Sequence, residues 1–158
     1  MLFVLFKLGQ DRFALDSSRV AEIVPLLGLK RIPAAPRGVA GIFNYRGRFV
    51  PVVDLCELML GRPAAEQIST RIIVVNYPDG DSRNHLLGLI AEQATETLRK
   101  ERSDFVSPDM RATSAPYLGP VLIDQQGVIQ WINEQHLLSP SVRRLLFSET
   151  AELVHGSD

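Results

Sequence analysis

The side chains that most often act as nucleophiles or metal ligands are few in this sequence and stand apart from one another. The three histidines, His85, His136 and His155, are never four residues apart, so the paired histidines of a helical zinc site are missing. Cys56 is the single cysteine and stands among leucines and a methionine, which favours a small buried side chain over a reactive thiol. These residues predict neither a metal site nor cysteine-based catalysis.

The serine and glycine patterns of common enzymes are missing as well. Ser17 and Ser18 do not lie in the G-x-S-x-G context of a nucleophilic serine. Gly38, Gly41 and Gly47 are irregularly spaced, and no Gly-Lys-Ser/Thr follows them to form a phosphate-binding loop. We therefore predict no enzymatic activity and no cofactor. An enzyme would instead need a pocket where ionisable groups from distant parts of the chain converge.

Composition argues against some classes of partner and leaves protein partners open. The 158 residues are 46% hydrophobic, enough for one compact domain or two small lobes that share a core. A formal net charge of −1 argues against nucleic acid or acidic lipid as a partner. The single cysteine excludes an intramolecular disulfide and favours a cytoplasmic location. The apolar N-terminal stretch is too short to span a membrane and predicts a buried first strand.

The hydrophobic pattern predicts short strands joined by turns, with few helices. A helical turn is predicted to begin at Ser17 or Ser18 and to run on through residue 23, and a short helix over Leu55–Leu60 is predicted to end at Gly61. Ser139 is expected to cap a last helix, with residues 142, 145 and 146 on its apolar face. Strands are predicted at residues 2–8, 12–16, 39–45, 48–54, 70–76, 85–90, 117–123 and 128–132, and residues 94–98 are expected to continue the strand 85–90 after a bend. A turn is predicted at residues 78–81, and residues 101–114 are expected to be polar and irregular.

The order of elements repeats at an offset of about eighty residues. Each half runs strand, turn, strand, irregular segment, hairpin around a glycine, and short helix. The offset places Gly127 on Gly47 and Asp124 on Asn44, with apolar runs falling on apolar runs. Together with the many short strands, this favours two similar small β-barrels packed together.

The most informative segment is the run APRGVAGIFNYRGRFVPVVDL, residues 35–55. Gly41 and Gly47 mark places of close backbone approach or positive φ, and Asn44 can hydrogen-bond locally to hold a turn. Arg46 stands at the predicted hairpin tip, where its five N–H donors could bind a carboxylate or carbonyl groups of a partner. An ordinary exposed arginine explains the same residue equally well.

Residues 41–47, GIFNYRG, and residues 50–55, VPVVDL, resemble the signature of CheW-like domains. That family shows a G-hydrophobic-x-N-hydrophobic-R-G run followed by a P-hydrophobic-x-D-L run. Upstream, the FALD and VAEI runs at residues 13–16 and 20–23 are similar to the family's second strand and V-x-E-I element. Downstream, residues 87–90, 117–119 and 137–138 match its second-half glycines and terminal helix. The resemblance covers residues 2–138.

The resemblance implies an all-β fold of two five-stranded SH3-like barrels around a shared core, with short helices and a C-terminal helix. It implies a non-enzymatic adaptor, without cofactor or metal, that couples the signalling tip of a methyl-accepting chemoreceptor to the regulatory domain of a histidine kinase. Such an adaptor is cytoplasmic and is recruited to membrane-bound receptor arrays. The positions that match the family's partner-contacting surface are Val20, Glu22, Gly41, Asn44, Arg46, Gly47, Gly88 and Gly119.

The chain also departs from the family pattern. Tyr45 replaces the usual aliphatic residue beside the arginine, and Ala91-Glu92 stands where Val-Asp is common. Residues 139–158 are expected to form a helical extension of the 1–138 domain, packed on that domain or on a partner. These departures favour an accessory pathway, either surface-sensing (Wsp-type) or pilus-linked. A self-associating scaffold without direct receptor contact is the alternative function.

Overall fold

The computed structural model describes residues 1–78, 84–107 and 115–155, with side chains through residue 147. Within these ranges the chain forms nine strands, two α-helices, α1 and α2, and three short 3-10 turns at 17–19, 102–104 and 134–136. The strands are β1 (Leu2–Leu8), β2 (Asp11–Asp16), β3 (Val20–Pro25), β4 (Val39–Tyr45), β5 (Arg48–Asp54), β6 (Arg71–Pro78), β7 (Asn84–Arg99), β8 (Leu118–Asp124) and β9 (Gly127–Ile132). The helices are α1 (Leu55–Leu60) and α2 (Pro140–His155).

The long strand β7 belongs to two five-stranded sheets. Its first half, residues 84–91, pairs with β6 and β5 in the order β3-β6-β7-β5-β4, which we call the first lobe. Its second half, residues 92–99, pairs with β1 in the order β7-β1-β2-β9-β8, the second lobe. The direction changes at Gln93, whose φ of 47° is rare for a residue with a side chain. The prediction of an all-β fold with two five-stranded lobes is confirmed, and residues 94–98 continue the strand of residues 85–90 after a bend, as expected.

Three apolar clusters explain why several strands are hydrophobic on both faces. In β6, Ile72 and Val74 point into the first lobe, while Ile73 and Val75 point into a central cluster between the lobes. In β1, Phe3 points into the second lobe, and its neighbours Val4 and Phe6 point into the central cluster. Side chains alternate along a strand, so a strand that lies between two cores needs apolar residues at every position. The predicted shared core is therefore confirmed.

The two hairpins that the repeat predicts are present and occupy matching places. The first hairpin, β4–β5, and the second hairpin, β8–β9, each end in a strand that pairs in parallel with a strand of its lobe. Each is followed by a short helical segment with a capping side chain: Asp54 accepts from the backbone N–H of Cys56 at α1, and Asn133 accepts from that of Gln135 at the turn 134–136. The lobes do not coincide with the sequence halves, because β1 and β2 join β8 and β9.

Two local predictions near the lobe boundary are wrong. The helical turn ends at Arg19, and Val20 begins strand β3, which pairs with β6. A short helix gains little by itself, whereas pairing with the buried strand β6 satisfies the backbone of these residues. Pro51 was expected on an edge strand or at a bulge, but β5 lies between β4 and β7. Pro51 is tolerated there because the ladder with β7 begins at Val52.

The last helix packs onto the body of the protein. Ser139 accepts a hydrogen bond from the backbone of Val142 at 3.2 Å, which confirms the predicted N-cap. Leu146 is 1% exposed in the central cluster, but Leu145 is 43% exposed, so its predicted place on the apolar face is wrong. Phe147 takes that place and stacks on His85 with ring centroids 4.2 Å apart. The predicted turn at residues 78–81 and the irregular segment 101–114 lie partly outside the described residues.

Candidate protein-interaction site

Four of the eight predicted site residues meet at one end of the first lobe. Glu22 of β3 contacts the turn of the first hairpin, which contains Asn44, Arg46 and Gly47. Val20 lies two residues before Glu22 and is partly buried against the central cluster. We call Glu22, Asn44, Tyr45, Arg46 and Gly47 the hairpin-tip cluster. The remaining three positions, all glycines, lie away from it.

The turn of the first hairpin holds its arginine in an unusual backbone conformation. Arg46 has φ of 52° and Gly47 has φ of 83°, and the flanking residues Tyr45 and Arg48 pair directly. Two central residues with positive φ are typical of a type I′ turn, whose twist matches that of the strands it joins. Asn44 Oδ1 accepts a hydrogen bond from the Gly47 amide at 2.8 Å and holds the turn closed.

Glu22 links β3 to this turn through one carboxylate oxygen. Its Oε1 accepts a hydrogen bond from the Tyr45 hydroxyl at 2.8 Å and another from Arg46 Nη2 at 2.6 Å. The guanidinium also lies 5.5 Å from the centre of the Tyr45 ring, within cation–π range. The hydrogen bond from Tyr45, followed by that from Arg46, lowers the pKa of Glu22, so the carboxylate is charged at neutral pH.

A bulge in β3 brings Glu22 to this position. Val20 pairs with Val75 and Glu22 pairs with Val74, so two steps along β3 match one step along β6. The extra residue, Ala21, shifts the register and changes the face on which the next side chains lie. The side chain of Glu22 is 36% exposed and that of Arg46 is 74% exposed. The pair is therefore open to a partner as well as to water.

The three glycines away from the hairpin-tip cluster have packing roles. A Cβ atom at Gly41 would overlap the carbonyl oxygen of Lys30, because the segment after β3 pairs there with β4. A Cβ atom at Gly88 would lie 2.9 Å from a methyl group of Ile72 inside the first lobe. Gly119 lies on β8 of the second lobe. The structure thus separates these glycines from the candidate contact residues.

Sequence reasoning missed an open groove beside β3. It has a volume of about 610 Å³ and begins at Ile23, one residue after Glu22. Leu27 on one wall is 70% exposed and Ile68 on the other is 95% exposed. Large apolar side chains in the two connecting segments were the available signal. The groove, which we call the β3 groove, combines these apolar side chains with the polar ones of Glu66, Gln67, Thr70 and Arg71, next to a charged pair.

A second apolar surface lies on the second hairpin. Ile123 is 71% exposed and Val128 is 52% exposed, and the two residues pair across β8 and β9. Leu118, at the start of β8, is 37% exposed, and Val106, which bridges to β8, is 57% exposed. We call these four residues the second-lobe patch. It belongs to the opposite lobe from the hairpin-tip cluster.

Cys56 and the most elaborate carboxylate network are structural. Cys56 is fully buried, as predicted, and burial, with the nearby carboxylates, raises the pKa of its thiol to about 12. Burial alone would raise the pKa of Glu92, but hydrogen bonds from Arg62 and from the amides of Ala65 and Gly9 lower it to about 2. Glu92 thereby ties two connecting segments, the β1–β2 turn and the loop between α1 and β6, to β7.

The described residues contain neither a candidate metal-binding cluster nor a candidate membrane-spanning helix. Among the described side chains, those of residues 1–78, 84–107 and 115–147, no group of three or more His, Cys, Asp or Glu could hold a metal ion. None of the helices in those ranges is both long and apolar enough to cross a bilayer.

Comparison with known proteins identifies the family. The model of the CheW-like domain matches residues 2–141. The chain is 32% identical over 103 residues to the chemotaxis protein CheW of Helicobacter pylori, covering 65% of this chain and 59% of that protein. It is 26% identical over 145 residues to the protein FrzA of Myxococcus xanthus, covering 90% and 88%.

The aligned region spans about three fifths of the length of the first two curated relatives, 59% and 61%. Among solved structures, the scaffolding protein TtCheW from Thermoanaerobacter tengcongensis superposes with a TM-score of 0.77 over 87% of both chains, at 24% identity. That likeness supports the fold described above. With the family match over most of its length, the chain belongs to the family of CheW-like domains.

Proposed function

We propose that the protein is a non-enzymatic adaptor that couples a chemoreceptor-type sensor to a histidine kinase in a bacterial chemosensory complex. The observation that carries the proposal is the hairpin-tip cluster, in which an arginine is held outward by a turn and by a glutamate from another strand. The β3 groove beside it provides an apolar surface of a size suited to helical side chains.

The backbone of Arg46 supports a binding role. Glycine or asparagine adopts positive φ far more easily than arginine, so an arginine at φ 52° carries a conformational cost. Strained residues persist where the surrounding structure holds them and where they serve a site. At this position the strain directs a side chain that is 74% exposed away from the body of the first lobe.

Stability alone does not account for the ion pair between Glu22 and Arg46. Exposed ion pairs are screened by water and salt and contribute little to folding. The described contact uses only Nη2 of the guanidinium, whereas arginine has five N–H donors. The remaining donors are suited to a carboxylate or to backbone carbonyl groups on a partner.

In the proposed complex the two partners use different lobes. The helical hairpin of the receptor tip lies in the β3 groove, with Glu22 and Arg46 making polar contacts at its edge. The regulatory domain of the kinase, which has the same fold in this family, contacts the second-lobe patch. Each contact is modest by itself, and an extended array strengthens it by multivalency.

The accessory pathway is supported by relatives that carry names other than CheW. The relatives include chemotaxis proteins named CheW, the protein FrzA of Myxococcus xanthus and the protein PilI of Pseudomonas aeruginosa. PilI is 27% identical to this chain over 74 residues. That match covers 47% of this chain and 42% of PilI. We propose a surface-sensing or pilus-linked pathway, in which residues 139–158 act as an extension of the adaptor domain.

The experiment that tests the receptor site is calorimetric titration of the protein with a soluble receptor-tip fragment from the same genome. Arg46→Glu is expected to weaken binding about tenfold or more, since it replaces the N–H donors of the guanidinium with a carboxylate that repels Glu22 and any carboxylate of the partner. Arg99→Glu makes the same charge change on an exposed position of the second lobe and serves as the matched control. Equal affinity of Arg46→Glu and wild type would refute the assignment.

A self-associating scaffold is the second candidate, because the second-lobe patch could equally contact another copy of the chain. Size-exclusion chromatography with light scattering separates the two functions. The adaptor predicts a monomer that forms a complex when the kinase domain is added. Ile123→Asp should abolish that complex in the first case and the oligomer in the second.

A further inference from the structure

Tyr45 departs from the aliphatic residue that is usual beside the arginine in this family, and its hydroxyl has a defined partner. It donates a hydrogen bond to Glu22 Oε1 at 2.8 Å, on the same oxygen that Arg46 Nη2 contacts at 2.6 Å. The three side chains therefore share one acceptor atom. An aliphatic side chain at position 45 could not make this contact.

We propose that Tyr45 is a positioning residue that orients the Glu22 carboxylate and, through it, the exposed guanidinium of Arg46 toward the partner. The inference rests on the binding role proposed above for Arg46. It assigns to Tyr45 an indirect effect on affinity rather than a direct contact with the partner.

Two contacts of Tyr45 carry the argument. The hydroxyl restrains Glu22, whose side chain is 36% exposed and would otherwise rotate in solvent. The ring lies 5.5 Å from the Arg46 guanidinium and is itself tilted against Phe43, whose ring centre is 6.1 Å away. Phe43 belongs to the core of the first lobe, so Tyr45 connects that core to the exposed side chain of Arg46 at the hairpin tip.

Restraint of this kind increases affinity by preorganisation. Arginine has many rotamers, and fixing them on binding carries an entropic cost that a partner must offset. In this protein Glu22 and the ring of Tyr45 already hold the guanidinium on one side. Removing the hydroxyl should free the Glu22 carboxylate and so loosen Arg46 indirectly. Removing the ring as well should also take away the direct contact with the Arg46 guanidinium.

The test compares Tyr45→Phe, which removes only the hydroxyl, with Tyr45→Leu, which removes the ring as well. In titration with the soluble receptor-tip fragment, Tyr45→Phe is expected to weaken binding about threefold, and Tyr45→Leu more. Tyr117→Phe removes a hydroxyl near the other lobe and is the matched control. The melting temperature of Tyr45→Phe should stay close to wild type, because only one partly exposed hydrogen bond is lost, whereas Tyr45→Leu should melt lower, because its ring no longer packs against Phe43.

A second readout distinguishes positioning from a general structural role. The pKa of Glu22, followed by carbon-13 NMR of its carboxyl group in the full chain, should rise in Tyr45→Phe and stay unchanged in Tyr117→Phe, because the Tyr45 hydrogen bond lowers it. A combined Tyr45→Phe and Glu22→Gln variant should bind no more weakly than Glu22→Gln alone.

The outcomes separate this inference from the proposed function. If Arg46→Glu weakens binding while Tyr45→Phe retains wild-type affinity, the positioning role is overturned and the receptor site stands. If neither change affects affinity, the receptor site is refuted and the role of Tyr45 with it. A higher pKa of Glu22 without any loss of affinity also overturns the positioning role.

Discussion

The two hairpins occupy equivalent places in the two lobes, yet they hold their ion pairs in opposite ways. At the first hairpin the turn supplies the cation, Arg46, and a strand supplies the acid, Glu22. At the second hairpin the turn supplies the acid, Asp124, and β2 supplies the cation, Arg12. Both hairpins close with an Asn or Asp side chain that accepts a backbone N–H of the turn, at 2.8 Å in each case.

The difference lies in exposure and in backbone strain. Arg12 binds Asp124 through both of its terminal nitrogens, each at 2.8 Å, and its side chain is only 16% exposed. Neither glutamine in the turn of the second hairpin has positive φ; within the described residues of that turn, Gly127 does. The second pair fastens the hairpin to β2, whereas the first pair is exposed and contacts its acceptor through one nitrogen. The two hairpins, which occupy matching places in the two lobes, thus carry a structural contact in one lobe and a candidate binding site in the other.

The largest expected effect on this comparison comes from Gly41→Ala at the base of the first hairpin. The added methyl group would overlap the Lys30 carbonyl, so the backbone must shift and the free energy of unfolding should fall by about 3 kcal/mol. In Gly119→Ala of the second hairpin, the added Cβ atom would lie 3.1 Å from the Trp131 carbonyl oxygen, and the free energy of unfolding should fall by about 1 kcal/mol. Urea denaturation measures both values. Equal losses would show that the two hairpin bases tolerate crowding alike.

A smaller effect is expected from pH on the second hairpin. The hydrogen bond from Arg12 lowers the pKa of Asp124 to about 2, from an ordinary 3.8. A lowered acid pKa stabilises the fold above the ordinary value, and this contribution is lost as pH falls from about 4 to about 2. Asp124→Asn should therefore reduce stability at pH 7 and flatten its decline over that range, as seen in thermal melts at a series of pH values. An unchanged decline would show that Asp124 is not a fastening contact.

The matching change at the first hairpin, Glu22→Gln, should alter the melting temperature less than Asp124→Asn does. The pKa of Glu22 is also lowered, by hydrogen bonds from the half-buried Tyr45 and from Arg46, but the Arg46 side chain is 74% exposed and water competes for its contact. A drop as large as that of Asp124→Asn would contradict the division into a structural pair and a binding pair.

The smallest expected effect is a gain in stability. Arg46→Gly removes a side chain from a position with φ 52° and should raise the melting temperature by about 3 °C. The same variant should bind the receptor-tip fragment more weakly, because the guanidinium is gone. Greater stability with weaker binding would show that strain at the tip is maintained for function. A lower melting temperature would show that Arg46 stabilises the hairpin.

Much of the fold could be predicted because its signals are local. The caps of α1 and α2, the glycine that ends α1 and the two hairpin turns all depend on residues within a few positions of one another. The sequence predicted that β7 continues after a bend, but not that its two halves belong to different sheets, because that depends on the distant strands β6 and β1 with which they pair. Nor could Leu145 be separated from Phe147, since an amphipathic stripe does not specify its own rotation.

The candidate site was predicted in part, for a similar reason. The family motif pointed to Glu22 and Arg46, and the turn chemistry placed Arg46 at a tip. It did not reveal that both side chains share an oxygen with the Tyr45 hydroxyl, because Glu22 stands more than twenty residues away and reaches the turn through the bulge in β3. The resemblance also included Gly41 and Gly88, where an added Cβ atom would crowd Lys30 and Ile72, so close packing is sufficient to account for these two glycines.

The sequence by itself determined where strands and turns form, that the familiar catalytic spacings are missing, and which family the chain belongs to. Side-chain alternation, capping and turn preferences act over a few residues, so they can be recognised in the sequence without knowledge of the fold. Only the tertiary structure decided that β1 and β2 join β8 and β9, that β7 serves both lobes, and that three side chains meet at one hairpin tip. Those contacts depend on mutual burial between distant segments, which no local preference encodes.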